Sequence, residues 1–205
     1  MFDTHNPIIG EWARRNPDNM ATVFMFVTAT IQQPIEQVPA ILKDYREKGA
    51  DSAYAWGWKG EAIEHYQENR QVIYGDLMGI YESVQCPKGL EVALLAYLAN
   101  LPGLGLVKGA FVAQLAFGVG GCMDSHNMKR FGVKAARFSA SAFKALRSPN
   151  AKVARVQEYC ALVAKVGGGA GLWDSWCDYV AGLRPKVFAD GFAVSQLHVD
   201  AFQIA

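Results

Sequence analysis

The chain has cysteines but no closely spaced pair. Cys86, Cys122, Cys160 and Cys177 are scattered with no C-x-x-C among them. That excludes a zinc ribbon and an iron–sulfur cluster held by neighbouring thiolates, and it predicts free, mostly buried thiols in a reducing cytoplasm. No secretory leader is expected either. Residues 1–19 carry Asp3, Glu11, Arg14 and Arg15 and have no apolar core. The most apolar stretches, residues 92–106 and 110–121, are interrupted by Pro and Gly and are too short for a bilayer. No repeat and no low-complexity run is visible. The expectation is a soluble, cytoplasmic protein with no membrane partner. Strand-like alternation is rare, which argues against a sheet. Charge is sparse: 19% of the 205 residues are charged and the formal net charge is +1, so the total alone does not announce a polyanion ligand.

What the sequence does have is 51% hydrophobic residues, enough for one substantial core or two lobes sharing a cleft. Helical spacing recurs throughout. Residues 19–31 form an apolar run that reads as a buried helix, although its β-branched content leaves a strand open. Residues 34–48 place Ile35, Val38, Ile41, Leu42 and Tyr45 on one helical stripe, with Gly49 as a C-cap. Residues 61–78 read as one or two surface helices, and 88–98 as another. Residues 107–117, 127–146, 151–166 and 172–183 also suit helices, with breaks at 118–121, 148–150 and 167–171. The tail, 184–205, is less regular, and Phe188, Phe192 and Phe202 are expected to pin it to the core. The predicted class is all-α, about eight to ten packed helices.

Leu101-Pro102-Gly103-Leu104-Gly105 joins two of these helices. Its glycines permit a tight turn at positive φ and a close approach of backbone. The following helix then presents free N–H groups and its positive dipole end, for which a phosphate is the natural partner. A plain helix connection explains the same residues. Charge favours the first reading. Between Val92 and Gln157 the one acid is Asp124, against nine bases: Lys108, Lys129, Arg130, Lys134, Arg137, Lys144, Arg147, Lys152 and Arg155. A basic belt in a near-neutral chain is the footprint of a nucleic-acid surface; the alternative is a solvated face balanced by acids from elsewhere. Asp124 stands 22 residues after Pro102, just ahead of a predicted helix. It suits a helix N-cap, and as a lone carboxylate among cations it is expected to hold its charge readily.

Leu101–Gly105, Gly109-Ala110, Ala116-Phe117-Gly118 and Asp124-Ser125-His126 with Arg130 resemble the helix–hairpin–helix DNA glycosylases related to endonuclease III. The match covers residues 101–132: a hairpin motif at 101–110 and a catalytic-Asp segment at 121–132, within a single glycosylase-like unit spanning 1–205. The resemblance implies two helical lobes around a cleft, with Asp124 as the catalytic carboxylate. It implies that Gly103, Leu104, Gly105, Lys108, Lys129 and Arg130 contact DNA, and that a monovalent cation can sit on the hairpin carbonyls; no other cofactor is implied. Gln32 corresponds to a glutamine that ends an early helix near the extruded base, and Asn127 is placed in the same base pocket. The family's cysteine cluster is missing. Its lyases carry a Schiff-base lysine five residues after the hairpin proline, where this chain has Val107. Lys108 follows, about 100° further round the helix, so it either turns from the pocket or binds phosphate.

The phrase from Leu101 to Leu115 and the segment Asp124–Gly132 look more like a bacteriophage branch, the α-glutamyl/putrescinyl thymine pyrophosphorylases. That resemblance implies thymine hypermodification in the cytoplasm of an infected bacterium. A partner 5-hydroxymethyluracil DNA kinase activates the base as its pyrophosphate, and an amine such as glycine, another amino acid or a polyamine displaces it. Asp124, Lys108 and His126 are the candidate catalytic residues. A DNA glycosylase that excises a modified pyrimidine, and a non-catalytic DNA-binding module, are the alternatives. Trp173 and Trp176, the Trp56/Trp58 loop and His198 are secondary candidates, each read more readily as core or surface.

Overall fold

The computed structural model of the chain describes residues 7–202; residues 1–6 and 203–205, the ends of the predicted N-terminus and tail, lie outside it. Twelve α-helices and no strand occur among the described residues, as the all-α reading expected. They are α1 (Pro7–Ala13), α2 (Pro17–Ala29), α3 (Val38–Lys48), α4 (Trp58–Glu68), α5 (Arg70–Ser83) and α6 (Pro87–Leu98). The second half holds α7 (Gly105–Phe117), α8 (Ser125–Arg130), α9 (Ala140–Lys144), α10 (Pro149–Lys165), α11 (Gly168–Leu183) and α12 (Gly191–Ala201).

The ambiguous apolar run is α2. Asn16 caps it, its side chain accepting from the Asn19 N–H at 2.9 Å, and Pro17 takes the first helical position, where no N–H is needed. Every residue from 20 to 29 is buried, because α1, α3, α4, α5 and α7 all pack around it. Full enclosure explains why the run shows no polar face. Phe24 and Phe26, at most 1% exposed, each contribute roughly 1.5–3 kcal/mol of burial. The buried apolar side chains form one contiguous cluster from Ile9 to Phe202.

α6 and α7 pack side by side, with Gly109 against Leu98 and Ala99: a β-carbon there would lie 3.2 Å from Leu98 Cβ. α10 packs on α6 and α11 on α10, and α12 lies across α11 and α3. Three expectations differ from the structure, the first being the number of helices, twelve among the described residues against the eight to ten expected. The single helix over 127–146 is broken: Gly132 adopts φ +65°, a 3₁₀ turn follows at Ala135–Phe138, and Ser139 starts α9 by accepting from the Ala142 N–H at 3.2 Å. The irregular tail contains α12, capped by Asp190, whose side chain accepts from the Ala193 N–H at 2.9 Å.

Candidate functional site

The hairpin turns on the two residues expected to allow it, Gly103 at φ +77° and Gly105 at φ +64°. Both are hemmed in. A β-carbon on Gly103 would lie 2.8 Å from the Trp58 ring, and one on Gly105 2.8 Å from Ala140 Cα. Leu104 and Gly105 are buried and Gly103 is half-buried, so the turn is wedged between α4 and the start of α9. Two of its carbonyls are engaged. Tyr66 Oη donates to the Pro102 oxygen, and the Leu104 N–H to that of Leu101 at 3.5 Å. Among the described residues no three His, Cys, Asp or Glu side chains gather as a metal site.

After α7 the chain runs without regular secondary structure to Asp124, turning at Gly118 and Gly120, both at positive φ. Tyr159 Oη donates to the Gly121 oxygen at 2.8 Å and accepts from the Met123 N–H at 3.0 Å. Gln114 Oε1 accepts from the Cys122 N–H at 3.3 Å, and its Nε2 donates to the Gly169 oxygen at 3.2 Å. A β-carbon on Gly169 would come within 2.3 Å of the Gly120 oxygen, so this segment lies directly on the start of α11. Asp124 then caps α8, Oδ1 accepting from the Asn127 N–H at 2.8 Å.

Asp124 faces a cavity of about 310 Å³ whose lining also includes Gln32 and Lys108. The structure therefore brings together three of the sequence candidates, from the end of α2, from α7 and from the cap of α8. Lys108 is turned into the cavity despite its offset from the lyase position, and Val107 lines it as well. Around them stand Ile31, Phe111, Leu172, Trp173, Trp176 and His198. Trp173 packs on Phe111 and Trp176 with ring centroids 5.7 and 5.6 Å apart, so the two tryptophans form an aromatic wall. Its size and lining, mostly apolar with a few polar groups converging, are those of a small-ligand site.

The electrostatics of Asp124 run against the sequence expectation. Burial raises its pKa, and this outweighs the Asn127 N–H, Lys108 and His126, all of which lower it. Cations nearby do not decide the charge of a carboxylate that has lost its water. Behind the rim lies a second lysine. Lys59 on α4 is fully buried and donates from Nζ to the Ile31 oxygen at 2.6 Å, with the Trp56 ring 5.3 Å away. Burial, then the repulsion of Lys108, pushes its pKa down. The carbonyl it holds precedes Gln32, which sits at φ +58°, rare for a residue with a β-carbon.

The other candidates lie outside this lining. Asn127 is buried with its amide spent: Nδ2 donates to the Leu172 oxygen at 3.0 Å and to that of Cys122 at 3.3 Å, while Oδ1 accepts from Ser175 Oγ at 2.9 Å. It ties α8 to α11. Arg130 extends the chain, Nη1 donating to Ser175 Oγ at 2.8 Å. His126 stacks on Tyr179 at 3.7 Å between centroids. Lys129, Lys134, Lys144 and Arg147 are exposed. Part of the basic belt is balanced, by an acid one residue beyond the window: Glu158 pairs with Arg137 at 2.7 Å and Arg155 at 3.3 Å.

Lys59 escaped the sequence reading, since a lysine beside Trp56 and Trp58 looks like part of an exposed loop. His198 was visible only as a histidine in a tail, and no local pattern tells that α12 folds back onto the cavity. No family model, no curated protein and no solved structure matches this chain.

Proposed function

We propose that this protein is a helix–hairpin–helix glycosylase-like enzyme that draws a pyrimidine out of DNA and modifies it. In this reading an amine displaces pyrophosphate from pyrophosphorylated 5-hydroxymethyluracil. The carrying observation is that Asp124 and Lys108 face one small, aromatic-walled cavity, with Lys59 buried behind its rim. One carboxylate against two lysines gives the cavity a cationic bias, which suits an anionic leaving group. The tryptophan wall offers a face on which a base can stack. Extrusion costs a few kcal/mol, less for an unpaired base.

In the reaction the bond between the 5-methylene carbon and the pyrophosphate oxygen breaks, and its electron pair leaves with pyrophosphate beside Lys108. The amine nitrogen bonds to the same carbon and gives up a proton to Asp124. A carboxylate whose pKa is raised by burial is a better base for that step than one in water. The partners are DNA, an amino acid or polyamine, and the kinase activity that installs the pyrophosphate in the infected cell's cytoplasm.

One observation favours the glycosylase alternative: Lys108 lines the cavity although it follows the lyase position by one residue, so an amine is on hand for sugar chemistry. Nucleoside mass spectrometry separates the two. Incubation of pyrophosphorylated 5-hydroxymethyluracil DNA with glycine should yield a 5-aminoalkylated thymidine and free pyrophosphate. Abasic sites and released base would refute the transferase. Full activity in a folded Asp124→Asn protein would favour a different active site or a binding module. Binding to DNA should weaken steeply with salt.

A further inference from the structure

His198, on α12, lines the cavity and is 2% exposed. Its ring stands edge-on to Phe26, Trp173 and Trp176, with centroids 5.3, 4.5 and 5.5 Å apart. Nδ1 lies 2.9 Å from the Val194 oxygen, one turn back on the same helix. A carbonyl offers only lone pairs, so this contact is a hydrogen bond when Nδ1 carries the ring proton. Nε2, at the far end of the ring, is then a bare acceptor. It is buried and has no hydrogen-bond partner among the described residues.

Leaving a buried acceptor unpaired is costly, and His198 forms part of the cavity wall, so a ligand seated there is the group that could supply the missing donor. Burial and the Lys108 charge hold the His198 pKa down, to about 4, against the opposing Val194 carbonyl. At neutral pH the ring is therefore uncharged, with its one proton on Nδ1 and Nε2 free to accept a hydrogen bond. The groups that share its surroundings are cationic or acidic: Lys108 from α7, Asp124 at the start of α8, and Lys59 behind Ile31. A second ammonium is a poor partner beside two lysines. A neutral N–H is a good one, and best when carbonyls beside it can accept from Lys108, a pure donor.

A uracil-type pyrimidine has that pattern, an imide N3–H between two carbonyls, whereas cytosine presents a lone pair at N3. The geometry points to His198 Nε2 as the acceptor for the N3–H of an extruded uracil-type base, which makes His198 a specificity-determining residue. This rests on the reading of the cavity as a base pocket.

The test uses the full chain and duplexes that carry one target base opposite an abasic position, so that pairing does not differ between probes. The targets are 5-hydroxymethyluracil, its N3-methyl derivative and 5-hydroxymethylcytosine, beside an unmodified duplex. Affinity is measured at one salt concentration, and the His198 Nε2 resonance is followed in ¹⁵N-histidine-labelled protein. 5-Hydroxymethyluracil should bind roughly five- to hundredfold more tightly than the other two targets and alone should shift Nε2 upfield. His198→Phe, which keeps a ring and removes the acceptor, should flatten that preference. If the variant does not fold, the two wild-type readouts decide. Equal affinity for 5-hydroxymethyluracil and either other target, with Nε2 unmoved, overturns the role of His198 while preference over unmodified DNA keeps the base-pocket reading. No preference over unmodified DNA overturns both.

Discussion

Acid should weaken this fold through His198. The unfolded chain titrates this histidine near 6.5, whereas the folded protein holds it at about 4. Between those values the unfolded state takes up a proton that the native state refuses, so stability is full above the window and falls as pH drops through it. The loss from this group reaches about 2 kcal/mol by about pH 5 and about 3 kcal/mol below the folded pKa. Against a total stability of roughly 5–15 kcal/mol this is large. Two groups work the other way. The raised pKa values of Asp124 and Glu91, both due first to burial, add stability as pH falls through them. Subtraction removes that background. Urea unfolding should be followed from about pH 8 to about pH 5 for the wild type and for His198→Phe. Over this range the wild-type midpoint should fall by about 1 M more than that of the variant, for a typical dependence on urea. Parallel curves would refute the idea that His198 is buried neutral.

Asp124→Asn should keep the α8 cap, since Asn caps as well as Asp, and leave stability within about 0.5 kcal/mol of wild type; Asp124→Ala should lose about 1 kcal/mol in the same denaturation assay. Both should abolish pyrophosphate release, and a cap-competent Asn variant that still turns over would remove Asp124 from the chemistry. Gly169→Ala should cost about 3 kcal/mol in thermal unfolding, because its β-carbon would meet the Gly120 oxygen, which is backbone and cannot swing aside. Lys59→Met should leave stability unchanged or higher, since it removes a buried charge with no carboxylate partner. It should still weaken ligand binding in a titration, because the Ile31–Gln32 turn loses its tether. Unchanged affinity would show that the turn holds itself.

Features governed by neighbours in the chain were legible in the sequence. The hairpin glycines take positive φ because a turn between two helices demands it there and then. Asp124 caps α8 because a cap is decided within three residues. Gln32 could be placed near the site only by resemblance, and it lines the cavity with Lys108 and Asp124. Features set by tertiary burial were hidden. The direction of the Asp124 shift depends on lost water, which a count of nearby bases does not contain. Asn127 looked like a base contact, but its amide is consumed by α11. The break after α8 was missed because a helical stripe continues across Gly132 and Ser139 in the sequence although the backbone does not.

The cavity draws its wall from Thr30 at one extreme and His198 at the other. The hairpin and the Asp124 segment both precede α12 in the sequence, so this last part of the wall comes from a distant stretch of chain. Without α12, which packs on α11 and α3, the cavity would keep Asp124 and Lys108 but lose His198 and one flank of its enclosure.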